Sequence, residues 1–476
     1  MRKTKIVCTI GPSSESPEML RKLIRAGMNV ARLNFAHGEP EEHAARIRNI
    51  REAAAAENQY VAVLIDTKGP EIRIGKMEES FVELVEGETV TLTTEEVLGT
   101  KDRIHVTYKQ LPQDVLPGSI ILIDDGLVRL EVEHAEGTEI VCRIRNGGRL
   151  KPRKGVNVPG VKTSLPGVTE KDIRHIRFGV EQKIDIIAQS FVRKAEDILE
   201  IKHILNELGA GHIQVVAKIE NDEGVENLDA IISVSSGIMV ARGDLGVDLP
   251  VEDVPLVQKD MIRRCNLAGK PVITATHMLE SMQQNPRPTR AEAGDVANAV
   301  FDGTDAVMLS GESAAGKYPL ESVETMARIA VKAESALDSY SWLTLQAARK
   351  TTDVTGAIGQ AVAQAALELD AKAILALTES GFTARMIAKH KPQAPIIAVS
   401  SKPSVLHALT MSWGVIPLLR SSDVADSDAA VLSAVELAKA GGYVQDGDLV
   451  VITAGVPAGA SGTTNLLRIH RVGDSL

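Results

Sequence analysis

The sequence predicts an α/β fold, namely a (β/α)8 TIM barrel interrupted by an inserted all-β lid domain and followed by a C-terminal doubly wound α/β domain. Three observations support this prediction. Eight short β-branched runs alternate with helix patterns, one interval between these runs is about 90 residues longer than the others, and the same alternation begins again near residue 350.

The eight β-branched runs are nearly continuous in apolar residues, and each is followed by an amphipathic helix pattern. Such strands indicate parallel βα units, in which helices cover both faces of the sheet. Eight units is the number that closes a barrel. The runs occupy residues 4–11, 28–35, 61–69, 184–191, 213–220, 237–244, 271–278 and 305–312.

The third and fourth runs are separated by an insertion. From Ile65 to Ala188 is 188 − 65 = 123 residues, whereas the neighbouring repeats run roughly 24 to 33 residues. Within 72–167, β-forming segments alternate with glycine-rich turns, which is typical of a small all-β domain. Because this segment follows a barrel strand, it lies at the carboxyl end of the barrel, where active sites occur, and we interpret it as a lid.

The rest of the chain restarts the βα alternation. Strand patterns occur in AKAILALTES, APIIAVSS, GVIPLL and DLVVITAG, and about five strands would form a doubly wound domain. The predicted domains are therefore a barrel at 1–71 and 168–345, a lid at 72–167, and a C-terminal α/β domain at 346–476.

Composition restricts the class of partner and the compartment. The chain has 476 residues and a net charge of −10, which argues against nucleic acid or an anionic membrane surface as its main partner. Cys8, Cys142 and Cys265 are far apart in the sequence, as expected of reduced thiols. No apolar run reaches 18 residues. We therefore expect a cytoplasmic soluble protein.

Polar side chains occur where the predicted strands end. Lys218 and Glu220 are two residues apart, so they point to the same side of the fifth strand. For any one strand, chance explains a polar end as readily as a functional role does. Their recurrence predicts one shared active site. The other strand-end residues are Arg32 with Asn34, Asp66 with Lys68, Arg242 with Asp244, and the single residues Gln189, Thr276 and Glu312.

The residue types at these ends indicate phosphoryl transfer. Glu220 and Asp244 are carboxylates with no histidine nearby in the sequence, a donor set that favours Mg²⁺ or Mn²⁺ over Zn²⁺. Lys218 could instead be only an ion-pair partner of Glu220, or a Schiff-base nucleophile. Nearby carboxylates favour its ammonium form and so disfavour the nucleophile. The cations that would neutralise phosphate oxygens are Arg32, Lys68, Arg73 and Lys218.

Several further motifs allow more than one interpretation. The N–H groups of Gly243 and Asp244 could bind a carboxylate or phosphate. The TESGFT loop at 378–383 is either an anion site or only a turn and helix cap, and the Gly/Thr loop at 455–465 is open to the same two readings. The histidines show no metal-ligand spacing, and Thr289 with Glu292 forms a capping box for which a structural role suffices.

Long stretches of the chain resemble the pyruvate kinase family. The resemblance runs from residue 3 to the end of the chain, and it implies the same arrangement of barrel, lid and C-terminal domain. The stretches that carry it are TKIVCTIGPSS, MNVARLNFAHG, DTKGPEIR, KGVNVPG, AKIEN, MVARGDLGVDLP, ITATHMLESM, RPTRAEAGDVANAVFDGTDAVMLSGESAAGKYP and SGTTN.

The resemblance implies transfer of a phosphoryl group from phosphoenolpyruvate to ADP, the last step of glycolysis, and a role for each matching residue. The implied catalytic residues are Lys218, Arg32 and Thr276. The implied substrate-binding residues are Arg32, Lys218, Gly243, Asp244 and Thr276. Those implied to reach nucleotide phosphates are Arg73 and Lys154. The implied ligands are Glu220 and Asp244 for Mg²⁺ (or Mn²⁺), and Asn34, Asp66 and the Thr67 carbonyl for K⁺.

Two positions depart from the family pattern. The family's usual LNFSHG carries a serine that ligates K⁺, whereas this chain has Ala36, so one oxygen is missing. Glu71 is nevertheless the residue that accompanies K⁺ dependence in the family. We therefore expect K⁺-activated catalysis with weakened K⁺ binding.

The second departure is Phe382, which replaces a basic residue often found in the regulatory phosphate loop of relatives. The groups that remain for a phosphorylated allosteric effector are Thr378, Ser380, Gly381 and Thr383. The resemblance also implies a homotetramer, and because the chain ends soon after SGTTN we expect no further C-terminal domain.

Two other functions compete with this one. A barrel lyase or aldolase could use Glu220 and Asp244 for Mg²⁺ enolate chemistry, but it would not need a lid with nucleotide-facing Arg73 and Lys154. A catalytically inactive metabolite sensor would act through the C-terminal domain. We expect an inactive descendant of an enzyme to have lost some of its site residues. This chain keeps Lys218, Glu220, Asp244 and Thr276, which argues against the sensor.

Overall fold

A computed structural model describes residues 1–338, 340, 342–343, 353–421, 427–455 and 464–475. Eight parallel strands close a barrel, in which each strand pairs with the next and the last pairs with the first. This confirms the predicted (β/α)8 fold. The barrel strands are, from first to eighth, Lys5–Thr9, Val30–Asn34, Ala62–Asp66, Ile186–Gln189, Gln214–Ile219, Gly237–Ala241, Val272–Ala275 and Ala306–Leu309.

Local capping sets the bounds of the barrel helices. The first helix begins after Ser16, whose side chain accepts a hydrogen bond from the Met19 N–H, with Pro17 in the first turn. It ends at Gly27, whose φ of 122° suits glycine. The helices around the barrel are Pro17–Ala26, Pro40–Ala56, Glu170–Glu181, Ala195–Glu207, Asp222–Glu226, Leu228–Val234, Arg242–Asp248, Val254–Ala268, the 3₁₀ turn Glu280–Gln283, Arg290–Asp302, Gly311–Ala314 and Pro319–Glu334.

The insertion after the third barrel strand forms a second, separate β structure. It contains a seven-stranded and a two-stranded sheet around its own apolar core, with one short helix, Leu111–Asp114. The boundaries at 71/72 and 167/168 stay predictions. The strands are Ile72–Arg73, Val82–Leu84, Thr89–Thr93, Arg103–His105, Ile120–Ile123, Val128–Glu136, Glu139–Asn146, Gly148–Leu150 and Gly155–Asn157.

The C-terminal domain is a five-stranded sheet covered by helices on both faces. Four strands are parallel, and the fifth, Leu466–Arg471, is antiparallel to its neighbour. The other strands are, in sheet order, Val415–Leu419, Ile396–Ser400, Ala373–Leu377 and Leu449–Ala454. The helices are Val354–Glu368, Phe382–Ala388, Pro403–Leu409 and Ser427–Ala440. The predicted boundary at 345/346 lies outside the described residues.

The C-terminal domain contacts the amino-terminal end of the barrel. Met411 is buried in the cluster of apolar side chains that fills the barrel interior. Lys391 forms a buried ion pair with Asp305 at 3.0 Å, and Lys5 Nζ donates a hydrogen bond to the Val415 carbonyl at 2.6 Å. The carboxyl ends of the strands face the other way, toward the insertion. In the described part of the chain, no helix is long and apolar enough to span a membrane.

Candidate active site

Lys218 lies at the centre of a cluster of charged side chains at the carboxyl ends of the barrel strands. Its Nζ atom is 3.0 Å from Asp66 Oδ1 and 3.0 Å from Glu220 Oε1. The same atom donates a hydrogen bond to Ser190 Oγ at 2.6 Å. Lys218 is 8% exposed, and both carboxylates are buried more deeply. The structure therefore brings together residues that are far apart in the sequence but were predicted to converge.

The charges of this cluster depend on one another. Burial alone would lower the pKa of Lys218, but the carboxylates of Asp66 and Glu220 outweigh it and raise that pKa. Burial raises the pKa of Glu220 to about 7, against the attraction of Lys218 and with a further rise from the charge of Asp244. Burial by itself would raise the pKa of Asp66, but the positive charges of Lys218 and Arg32 outweigh it, so that this pKa is lowered. The ammonium group of Lys218 is thus a fixed positive charge.

Arg32 occupies the other side of Asp66. Its Nε donates to Asp66 Oδ2 at 2.7 Å, and its Nη1 donates to the Thr9 hydroxyl at 2.8 Å. The strand register places Asn34 directly beside Asp66. The side-chain oxygen of Asn34 accepts a hydrogen bond from the main-chain N–H of Ala36 at 3.0 Å. Arg32 and Lys218 therefore place two positive charges on opposite oxygens of one buried carboxylate.

The sixth and seventh strands contribute a second polar group of residues. Gly243 N–H donates to the Thr276 hydroxyl at 2.7 Å, and that hydroxyl donates to the Ala275 carbonyl at 2.7 Å. Thr276 has a φ of 64°, an uncommon conformation for a β-branched residue. Asp244, in the first turn of the helix Arg242–Asp248, is close enough to Glu220 to raise its pKa. The predicted residues Gly243 and Thr276 thus lie in contact.

Two residues that immediately follow the fourth strand were not predicted from the sequence. Ser190 accepts the hydrogen bond from Lys218 and donates to the Thr67 carbonyl at 2.7 Å and to Asp66 at 3.1 Å. The Phe191 N–H donates to Glu220 Oε2 at 2.6 Å. The only available signal was their position after Gln189, at the same strand-end level as the other candidates.

A cleft of about 1,020 Å³, including solvent at its mouth, separates the barrel from the inserted domain. Asp244 lines this cleft, as does Phe191, which hydrogen-bonds to Glu220. From the inserted domain, residues that adjoin Arg73 and Lys154 in sequence line it as well. Lys154 pairs with Asp124 at 2.8 Å, and Arg73 pairs with Glu71 at 2.5 Å. Both predicted nucleotide-binding cations are therefore ion-paired beside the cleft.

Other strand-end residues have structural partners. Arg242 forms an ion pair with Asp295 at 2.7 Å, and the fully buried Glu312 accepts hydrogen bonds from the N–H groups of Leu279 and Ser310. The predicted capping box is confirmed, because Thr289 caps the helix Arg290–Asp302. These side chains stabilise the loops around the cluster.

The predicted effector loop leads into the helix Phe382–Ala388. Gly381 caps this helix with a φ of 77°, and the buried Thr383 hydroxyl shares a hydrogen bond with Thr464 at 2.8 Å. The main-chain N–H of the buried Thr378 donates a hydrogen bond to a carbonyl of the neighbouring strand. The main-chain carbonyl of Ser380 accepts a hydrogen bond from the Arg385 side chain. Residues 456–463 of the second predicted loop lie outside the described residues.

Two families of known proteins match the chain. The pyruvate kinase barrel-domain family matches residues 1–323, and the pyruvate kinase alpha/beta-domain family matches residues 356–470. The chain belongs to the pyruvate kinase family. It is accordingly a phosphotransferase, and the resemblance found in the sequence is confirmed.

Individual relatives cover the full chain. The chain is 56% identical to a pyruvate kinase of Geobacillus stearothermophilus, covering 100% of this chain and 81% of the relative. It is 55% identical to a pyruvate kinase of Staphylococcus aureus, with the same coverage. A crystal structure of a pyruvate kinase from Cryptosporidium parvum superimposes with a TM-score of 0.94 at 42% identity, covering 99% of this chain and 96% of that one.

Proposed function

We propose that this chain transfers the phosphoryl group of phosphoenolpyruvate to ADP, giving pyruvate and ATP in the last step of cytoplasmic glycolysis. The observation that carries this proposal is the cluster around Lys218. A buried ammonium group, fixed at about 3 Å from two carboxylates, lies beside a cleft between barrel and lid. Phosphoryl transfer requires positioning and charge neutralisation more than covalent chemistry by the protein.

The donor chemistry of Glu220 and Asp244 fits Mg²⁺ or Mn²⁺. After burial, the charge of Asp244 contributes to the raised pKa of Glu220, so the two carboxylates repel each other when no cation lies between them. Carboxylate oxygens with no histidine are the ligands that Mg²⁺ prefers. When bound, Mg²⁺ would neutralise charge on the substrate's anionic oxygens.

The proposed K⁺ site also consists of oxygen donors, with one fewer than in relatives. Asn34 and Asp66 are register neighbours, and Ser190 joins Asp66 to the Thr67 carbonyl. Ala36 supplies no hydroxyl. The residues therefore fit a monovalent cation whose binding is weakened by the missing ligand.

The protein's own groups would act as follows. Lys218 and Arg32 place positive charge on the phosphoryl group and hold it in line for transfer. The N–H of Gly243 orients the Thr276 hydroxyl, and beside Thr276 the enolate left by phosphoryl transfer takes a proton from water to give pyruvate. Arg73 and Lys154 exchange their carboxylate partners for nucleotide phosphates when the lid closes.

We also propose a regulatory site and an oligomeric state. The loop containing Thr378, Ser380, Gly381 and Thr383 would bind a phosphorylated effector, and the chain would act as a homotetramer. The loop's turn at Gly381 and its position before a helix support the effector site.

The test measures pyruvate formed from phosphoenolpyruvate in the presence of Mg²⁺, with and without ADP and with and without K⁺. We expect turnover that requires ADP and increases with K⁺. Turnover without ADP would favour the lyase, and no turnover by folded protein would favour the sensor. Full activity without any monovalent cation would contradict the K⁺ proposal alone.

A further inference from the structure

A second polar crevice lies at the opposite end of the barrel from the active site, where the C-terminal domain packs against it. The crevice lies between the start of the seventh barrel strand and the helix Phe382–Ala388. It encloses about 210 Å³, including solvent at its mouth, which is less than the volume of sites for drug-sized ligands. Its polar lining consists of Asn266, Lys270, Asp305, Arg385, Lys389 and Ser412.

The crevice has a surplus of positive charge. In the described part of the chain, none of Lys270, Arg385 and Lys389 lies within 4.0 Å of a carboxylate oxygen. Among the described residues, Lys270 Nζ donates to the Ser235 carbonyl at 2.6 Å, and Arg385 donates to the Ser380 carbonyl at 3.3 Å. The acidic residue in the lining, Asp305, is already neutralised by Lys391 outside the crevice.

These cations are partly buried, and Lys270 and Arg385 repel each other. Burial lowers the pKa of Lys270, and the positive charges of Lys202 and Arg385 lower it further. Burial lowers the pKa of Arg385 to about 10. Burial also lowers the pKa of Lys389, and Asp353 only partly offsets it. An anion between these groups would relieve both the repulsion and the loss of hydration.

Ser412 provides an independent observation at the same place. Its side chain is 2% exposed and lines the crevice, and its hydroxyl has no hydrogen-bond partner in the described structure. A buried hydroxyl without a partner is unfavourable, by about 1–3 kcal/mol. The hydroxyl could donate a hydrogen bond to an oxyanion, and the cations in the crevice lining would neutralise its charge.

The walls of the crevice are fixed by close packing of the two domains. Gly269 ends the helix Val254–Ala268 with a φ of 65°, and a Cβ atom there would overlap the Met386 methyl group. The backbone conformation therefore favours glycine, and the absence of a side chain lets Met386 pack closely against this turn. The crevice is consequently a defined gap between two packed surfaces.

We propose that this crevice binds a phosphate group, with Lys270 and Arg385 as charge partners and the Ser412 hydroxyl as donor. The phosphate is either free inorganic phosphate or the phosphoryl end of a small monoester. Because Lys270 belongs to the barrel and Arg385 to the C-terminal domain, the bound anion joins the two domains at the barrel's amino-terminal end. This site is separate from the active-site cleft and does not require the proposed reaction.

The two tryptophans of the chain report on this crevice. Trp413 directly follows Ser412, and the Trp342 Nε1–H donates to the Lys389 carbonyl at 3.5 Å. The experiment titrates the protein with inorganic phosphate and, separately, with glycerol phosphate at constant ionic strength, and records tryptophan fluorescence and the unfolding temperature. We expect saturable changes in both. A response to inorganic phosphate alone identifies the free anion, and a response to both identifies a phosphoryl end.

Variants separate this site from the other phosphate-binding parts of the molecule. Lys270→Met should weaken the response at least tenfold, and Ser412→Ala severalfold. Lys372→Met removes an exposed cation of the C-terminal domain and should respond as wild type. Lys270→Met should also fold normally, since it removes a repelling charge.

Three outcomes would overturn the proposal. The first is a wild-type protein that does not respond to either probe. The second is an equal response of wild type and Lys270→Met. The third is a response lost in Ser380→Ala but kept in Lys270→Met, because the phosphate would then bind at the predicted effector loop.

Discussion

Two buried lysines at opposite ends of the same barrel differ in the number of carboxylates they contact. Lys218, at the carboxyl end, lies 3.0 Å from both Asp66 and Glu220. Within the described part of the chain, Lys391, at the amino end, is ion-paired with Asp305 alone. Burial opposes the charge of both lysines. It is outweighed at Lys218, whose pKa is raised, but not at Lys391, whose pKa is lowered despite Asp305.

The comparison separates a reactive charge from a structural one. The second carboxylate keeps Lys218 cationic even when a substrate displaces one partner, as phosphoryl transfer requires. Lys391 has one carboxylate partner, Asp305, and this pair connects two domains. If a ligand replaced that partner, the Asp305 carboxylate would remain buried without a counter-charge, which is unfavourable. Four predictions test this contrast, from the largest expected effect to the smallest.

Removal of the reactive charge should have the largest effect. Lys218→Met should lower kcat for pyruvate formation by about 10³- to 10⁵-fold, because a cation that neutralises the phosphoryl group contributes in that range. Steady-state kinetics at saturating substrate measures this, with circular dichroism to verify folding. Lys391→Met is the matched control and should retain kcat. A loss of less than tenfold in Lys218→Met would show that the cluster is structural.

The structural pair should instead affect stability. Lys391→Met leaves the Asp305 carboxylate buried with only the N–H groups of Val272 and Trp413, which should lower the free energy of unfolding by about 3–5 kcal/mol. Urea unfolding measures the change. The double variant Lys391→Met with Asp305→Leu should recover much of it. If the double variant is less stable than the single one, the pair is not what stabilises this contact.

A third buried lysine tests whether the lack of a carboxylate partner lowers a pKa. Burial, together with the charge of Arg2 and against that of Glu334, lowers the pKa of Lys5 to about 7. In the unfolded chain it titrates near 10.5. Between these values the unfolded state binds the proton and the folded state does not, so stability falls as pH decreases from 10.5 toward 7.

The measurement is urea unfolding of wild type and Lys5→Met at pH 7 and pH 9. The free energy of unfolding of the variant minus that of wild type should be about 2 kcal/mol larger at pH 7 than at pH 9, because only wild type loses stability through this lysine as the pH decreases. Because both proteins share all other titrating groups, their difference isolates Lys5. A difference that does not change with pH would mean that the ammonium group is solvated.

The smallest effect concerns the proposed cation site. Ala36→Ser restores the missing hydroxyl and should lower the K⁺ concentration for half-maximal activity severalfold, which corresponds to about 1 kcal/mol. A K⁺ titration of initial rates measures it, with Ala36→Gly as the control of similar size but without oxygen. An unchanged half-maximal concentration would place the cation elsewhere.

The strand periodicity was sufficient to predict the barrel, because buried parallel strands followed by helices leave a repeating pattern. It was also sufficient to bring Lys218, Glu220 and Asp66 together, since the carboxyl ends of the strands share one end of the barrel. Ser190 could not be predicted in this way. Its importance comes from three hydrogen bonds to residues of other strands, and serine after a strand is common.

Two other features could not be predicted from the sequence. The edge strand Leu466–Arg471 is antiparallel to its neighbour, so a pattern of parallel βα units could not identify it. The pair of Lys391 with Asp305 joins residues of two domains, and its partners are 86 positions apart. Nothing local in either segment indicates which surface the other domain covers.

The position of Met411 has a consequence for how the molecule is made. Its side chain completes the apolar interior of a barrel whose last strand ends at Leu309, about a hundred residues earlier in the chain. Synthesis proceeds from the amino terminus, so all eight strands leave the ribosome well before this side chain does. We therefore expect the interior to stay open at one end during that interval, and barrel folding to finish only when the next domain arrives.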